Sequence, residues 1–89
     1  MKIKVFANLR EITKNSEIET EIKRGKVQDI IDTLIHIYGK AFSDAIFNLE
    51  GRLKIIILLN GRDIDYIDGL ESEINEEDVL YLFPPIAGG

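Results

Sequence analysis

Polar and apolar residues alternate over residues 2–7, KIKVFA. Lys2, Lys4 and Phe6 share one side and Ile3, Val5 and Ala7 the other. That period predicts a strand with one apolar face. Residues 17–22, EIETEI, alternate again, with Ile18, Thr20 and Ile22 together. The polar link Lys14-Asn15-Ser16 separates the two, and they read as an antiparallel hairpin with a longer loop. From Val27 the period changes. Val27, Ile30, Ile31, Leu34, Ile35 and Tyr38 fall at helical spacing and form one stripe, with Gly39 as the stop. Gly25 and Lys26 promise only a weak N-terminal cap, so packing is expected to hold this helix.

Phe42, Ile46, Phe47 and Leu49 suggest a short helical turn or packed loop after Gly39. LKIIILL, residues 53–59, is a β-branched run ending in Asn60-Gly61, a strong hairpin signal that predicts a short return strand near Arg62 to Ile64. An acidic, turn-rich stretch pivots about Gly69 and Leu70. VLYLF, residues 79–83, is the last strand, and Pro84 ends it because proline donates nothing to a ladder. One helix covers only one face of such a sheet, which predicts a two-layer α+β domain.

The second face of that sheet changes the picture. LKIIILL is apolar on both sides, and so is VLYLF, where Val79, Tyr81 and Phe83 share one parity and Leu80 and Leu82 the other. Either loops cover the back, or it is an exposed apolar patch of the kind that marks interaction sites. Phe6 has the parity of Lys2 and Lys4, which must be wet. It is therefore expected on the open face, beside Phe83 if the first and last strands are neighbours.

At 89 residues the chain is one small domain. It has no cysteine, so neither disulfides nor thiolate metal sites are available. A net charge of −5 argues against nucleic acid as a partner. The opening residues show no signal-peptide pattern and no stretch is long enough to span a bilayer, so no membrane partner and a cytoplasmic address are the expectation. The lone His36 lies off the helical stripe, with no second histidine or cysteine to form a metal site or nucleophilic pair. Asp63, Asp65 and Asp68 fail the calcium-loop spacing. Glu71, Glu73, Glu76, Glu77 and Asp78 read as a solvated face, and the glycines do not form a phosphate loop. No catalytic apparatus, metal or bound cofactor is expected in the chain itself.

That leaves the ending, FPPIAGG. Pro84 and Pro85 favour a stiff, extended conformation. Ile86 and the small Ala87 follow, then Gly88 and Gly89, which a narrow channel admits. Six residues beyond Phe83 span up to about 20 Å. A carboxylate on such an arm is a chemical handle: it can be activated as a mixed anhydride with AMP and then attacked by sulfur or an amine. The alternative is a frayed end with accidental glycines.

The opening KVFANLRE, with Phe6, Ala7, Leu9, Arg10 and Glu11, the LLNGR of residues 58–62, and above all DVLYLFPPIAGG resemble the ubiquitin-like sulfur-carrier family over nearly the whole chain. The likeness leans to the small subunit of molybdopterin synthase, the MoaD type, because thiamine-pathway carriers share the glycines but usually lack the two prolines. One departure is Glu77-Asp78, where the family often has Gly-Asp before the last strand.

This resemblance implies a β-grasp fold: a mixed sheet of four to five strands, one main helix on one face, and residues 84–89 as a projecting tail. It implies that a ubiquitin-activating-type enzyme uses ATP to adenylate Gly89, and that a sulfur donor converts the glycyl adenylate to a thiocarboxylate. The tail would then enter the large subunit of molybdopterin synthase, in a heterotetramer, which carries the catalytic residues. Phe6, Phe83, Tyr81 and Arg10 are the expected docking residues. Two alternatives stay open. Gly89 can instead acylate lysines, as in small archaeal modifier proteins, or the sulfur can go to thiamine, a tRNA base or a tungsten pterin.

Overall fold

The computed structural model describes residues 1–84. Strand β1 (Lys2–Val5) is followed by helix α1 (Asn8–Thr13), β2 (Glu17–Glu19), β3 (Arg24–Lys26), α2 (Val27–Tyr38) and α3 (Lys40–Ile46). Then come β4 (Ile56–Leu59), β5 (Arg62–Asp63), two short 3₁₀ turns, β6 (Glu73–Asn75) and β7 (Val79–Phe83). The main sheet has the order β2-β1-β7-β4-β5, and β3 and β6 form a separate two-stranded ladder.

β1 and β7 lie parallel at the centre, with Ile3 opposite Leu80 and Val5 opposite Leu82. β2 and β4 flank them antiparallel. The sheet is therefore mixed, as the β-grasp expectation requires. Its inner face carries Ile3, Val5, Ile57, Leu80 and Leu82, all essentially without solvent contact. They pack on Val27, Ile30, Ile31 and Leu34 of α2, together with Phe42 and Ile46 of α3. The helical stripe read from the sequence is thus the stripe that builds the core, with Ile35 and Tyr38 half-buried at its margin.

Five expectations need correction. The β1–β2 link is not simply a loop: α1 occupies it, burying Leu9 and Thr13 one turn apart, and Lys14 ends it in the left-handed region at φ 67°. The regular part of the second strand stops at Glu19, and the regular part of β4 begins only at Ile56. Start-of-helix chemistry on α2 is stronger than its cap position suggested. The Lys26 N–H donates to Asp29 Oδ2 at 2.8 Å and the Val27 N–H to the Ser72 carbonyl at 3.0 Å, so two otherwise orphaned donors are satisfied. Leu49 does not pack. It stands fully exposed at a turn where Asn48 Oδ1 accepts from the Glu50 and Arg52 N–H groups.

The Asn60-Gly61 hairpin forms as its sequence dictates, with φ 53° and 91°, the pair of positive values that a type I′ turn demands. Glu77-Asp78 in place of Gly-Asp leaves a well-built turn. Asp78 accepts from the Asn75 N–H and from Asn60 Nδ2, both at 2.8 Å, and Asn60 Oδ1 accepts from the Val79 N–H at 2.9 Å. This clasp fixes the start of β7 against the β4–β5 turn.

Candidate functional site

The candidate site lies on the outer face of the main sheet, at the end where β7 leaves it. Outward side chains come from three adjacent strands. Lys4 faces Tyr81 across β1 and β7, and Ile56 and Leu58 of β4 face Phe83 and Tyr81. Alternation dictates this, since Leu80 and Leu82 take the inner positions. Phe6 continues β1 by one residue, its N–H donating to the Leu82 carbonyl at 3.2 Å. That bond lays the Phe6 ring on the Phe83 ring, with centroids 4.4 Å apart and planes within 7°. Both rings are half-buried. β1 and β7 are neighbours, so the proximity expected on that condition is present, and it sits on the open face rather than beneath α2. A stacked pair of this kind contributes about 1 kcal/mol beyond its buried area.

Around the rings the patch stays apolar with a basic margin. Ile56 is 39% exposed. Lys4 Nζ sits 5.9 Å from the Tyr81 ring centroid, a cation–π contact that leaves its charge available on the face. Arg10 lies apart from the sheet on the exposed side of α1. Its N–H donates to the Ala7 carbonyl at 3.1 Å, which ties the helix to the end of β1. The structure thus brings Phe6, Tyr81 and Phe83 together and places Arg10 on a neighbouring element. Ile56 and Leu58 complete the patch. The two-sided apolar run in LKIIILL was their sequence signal.

Pro84 is half-buried and follows Phe83 directly. Pro85, Ile86, Ala87, Gly88 and Gly89 lie outside the described residues. Among the described residues no group of three or more His, Cys, Asp and Glu side chains is placed to hold a metal ion, and no helix is long and apolar enough to cross a membrane. A groove of about 790 Å³ opens beside β3 and β6, lined by Arg24, Lys26, Asp29 and Glu73 among others. Two of its charges are already engaged. Asp29 caps α2, and the Lys26 ammonium is held by Glu71, whose hydrogen bond and charge push the lysine pKa up. His36 is exposed, and Asp63 accepts from the Asp65 N–H at 2.9 Å to start a 3₁₀ turn.

Residues 3–89 match the model of the ThiS family. The chain belongs to that family. Its members are small ubiquitin-like carriers rather than catalysts, and the chemistry sits on partner enzymes. Small archaeal modifier protein 3 of Haloferax volcanii is 27% identical, the match covering 100% of this chain and 98% of that protein. A protein of Archaeoglobus fulgidus, provisionally named a sulfur carrier protein, is 30% identical over 100% of this chain and 98% of its own length. The solution structure of small archaeal modifier protein 1 from Methanosarcina acetivorans superposes with a TM-score of 0.80 at 32% identity, covering 99% of this chain and 94% of the other.

Proposed function

We propose that the chain is an activatable carrier whose working group is the Gly89 carboxylate. A ubiquitin-activating-type enzyme docks on Phe6, Tyr81 and Phe83, with Arg10 at the margin, and draws in the tail from Pro84 onward. The carboxylate attacks the α-phosphorus of ATP, pyrophosphate leaves, and a glycyl adenylate forms. An amine or a sulfide-level sulfur then attacks the acyl carbon and AMP leaves. A lysine ε-amine loses its proton and gives an isopeptide bond; sulfur gives a thiocarboxylate. In both outcomes the chain supplies the acyl group and the docking face, while the partner supplies the catalytic side chains.

The observation that carries this reading is the stacked Phe6–Phe83 pair on the open face, immediately before a tail that ends in Gly88-Gly89. Its geometry fits an enzyme that must grip the domain while threading a slender arm. Similarity to two small archaeal modifier proteins favours the lysine outcome as the main reading. The sulfur outcome is the second reading, favoured by the similarity to the Archaeoglobus protein and by the FPPIAGG ending. Delivery to molybdopterin through a large synthase subunit is one branch of it, and thiamine or tRNA thiolation are others.

Mass spectrometry on the native cell separates the two. No Lys or Arg follows Arg62, so trypsin leaves residues 63–89 attached to each modified lysine. That branched remnant on other proteins is the expected result. Its absence, with a sulfur-for-oxygen mass gain on the free chain, assigns the sulfur reading instead. Neither signal in cells that express the protein contradicts both.

A further inference from the structure

Ala7 has φ 53° and ψ −132°, a backbone conformation that glycine adopts freely and alanine resists. The residue occupies the first central position of the turn Phe6-Ala7-Asn8-Leu9, closed by the Leu9 N–H donating to the Phe6 carbonyl at 3.3 Å. These dihedrals are those of a type II′ turn, whose first central position calls for glycine. The strain has no return within the domain. Ala7 is exposed, so its methyl adds nothing to the core.

Its place in the fold supplies a reason for the methyl. Ala7 follows Phe6, which is bonded to Leu82 and stacked on Phe83. It also precedes α1 and accepts from the Arg10 N–H at 3.1 Å. It therefore lies at the joint between the aromatic pair and the arginine, at the end of the sheet from which the tail departs. An enzyme that takes Gly89 must cover this end, because the tail reaches only about 20 Å beyond Phe83. Residues held against backbone preference cluster at such contact sites.

We propose that Ala7 is a recognition residue: its strained turn presents the methyl to the enzyme that activates Gly89, where a glycine would fold better and bind worse. This inference rests on the proposed docking face and adds to it a residue outside the aromatic patch. The strain and the contact pull in opposite directions, so one substitution tests both.

The experiment compares wild type, Ala7→Gly and Ala7→Ser in thermal unfolding and in ATP–pyrophosphate exchange driven by the ubiquitin-activating-type enzyme of the same cell. Ala7→Gly is expected to raise Tm by roughly 4 °C, through relief of the turn. Its KM in exchange should rise about fourfold, the effect of one lost methyl contact, with kcat unchanged. Ala7→Ser keeps the β-carbon and should hold KM within about twofold of wild type. An unchanged KM in Ala7→Gly overturns the inference alone, and a lower Tm overturns its premise of strain. No exchange with the wild-type chain overturns the proposed function and this inference with it.

Discussion

The two faces of one sheet are built from nearly the same residue types and sit in different surroundings. On the inner face Leu80 and Leu82 are wholly buried against α2 and α3. On the outer face Tyr81 and Phe83, their neighbours in the same strand, keep part of their surface in water. Alternation along β7 separates core positions from outward-facing ones at intervals of one residue, and the proposed docking role falls on the outward set. Hydrophobicity alone does not distinguish them; parity and the number of covering layers do. With helices over only one face, the second apolar face stays partly in water, which is what the proposed docking requires.

Substitutions one residue apart should break this comparison cleanly. Leu82→Ala opens a cavity in the core, which costs about 3 kcal/mol and lowers Tm by more than about 10 °C. KM for activation, measured below the transition, should stay near wild type. Phe83→Ala should reverse the pattern. Losing the stacked, half-buried ring costs about 2 kcal/mol of stability, from stacking and lost burial together, while KM in ATP–pyrophosphate exchange rises about tenfold or more, as expected of an aromatic anchor at an interface. Equal KM effects from the two variants would remove the distinction between the faces.

A smaller effect sharpens the comparison from a third place. A β-carbon at Gly25 would meet Asp29 Oδ2 at 2.7 Å, displacing the carboxylate that caps α2. Gly25→Ala should therefore cost about 1 kcal/mol, the usual value of a lost cap, and lower Tm by about 5 °C. The outer face is untouched, so activation kinetics should not change.

How much of this was legible in the sequence follows from the size of each signal. The stripe of α2 and the apolar strands β4 and β7 repeat their pattern often enough to be read directly. β3 and β6 are three residues each, and only Ile74 of the pair is deeply buried, so no period exists to detect. α1 has six residues, with Leu9 and Thr13 buried and Ile12 packed at the core margin, too few turns to show a period. The α2 cap was hidden for another reason. Its acceptors are a carboxylate three residues into the motif and the carbonyl of Ser72, distant in sequence. The face carrying Phe6, Tyr81 and Phe83 was legible because parity needs only the strand assignment. Their stacking needed one further fact, that β1 and β7 are neighbours. Alternation puts Ala7 at the end of the first strand's apolar face, whereas the strand stops at Val5 and Ala7 is exposed in a turn; its strain was hidden because a backbone dihedral is not written in residue type.

The central claim is that Gly89 is the group on which activation occurs. It is tested most directly by ATP–pyrophosphate exchange with the cell's own ubiquitin-activating-type enzyme, comparing the full chain with one lacking Gly88 and Gly89. The prediction is exchange that depends on the full chain and is lost entirely with the truncated one, although the two unfold at the same temperature. Equal exchange with both chains would contradict the account.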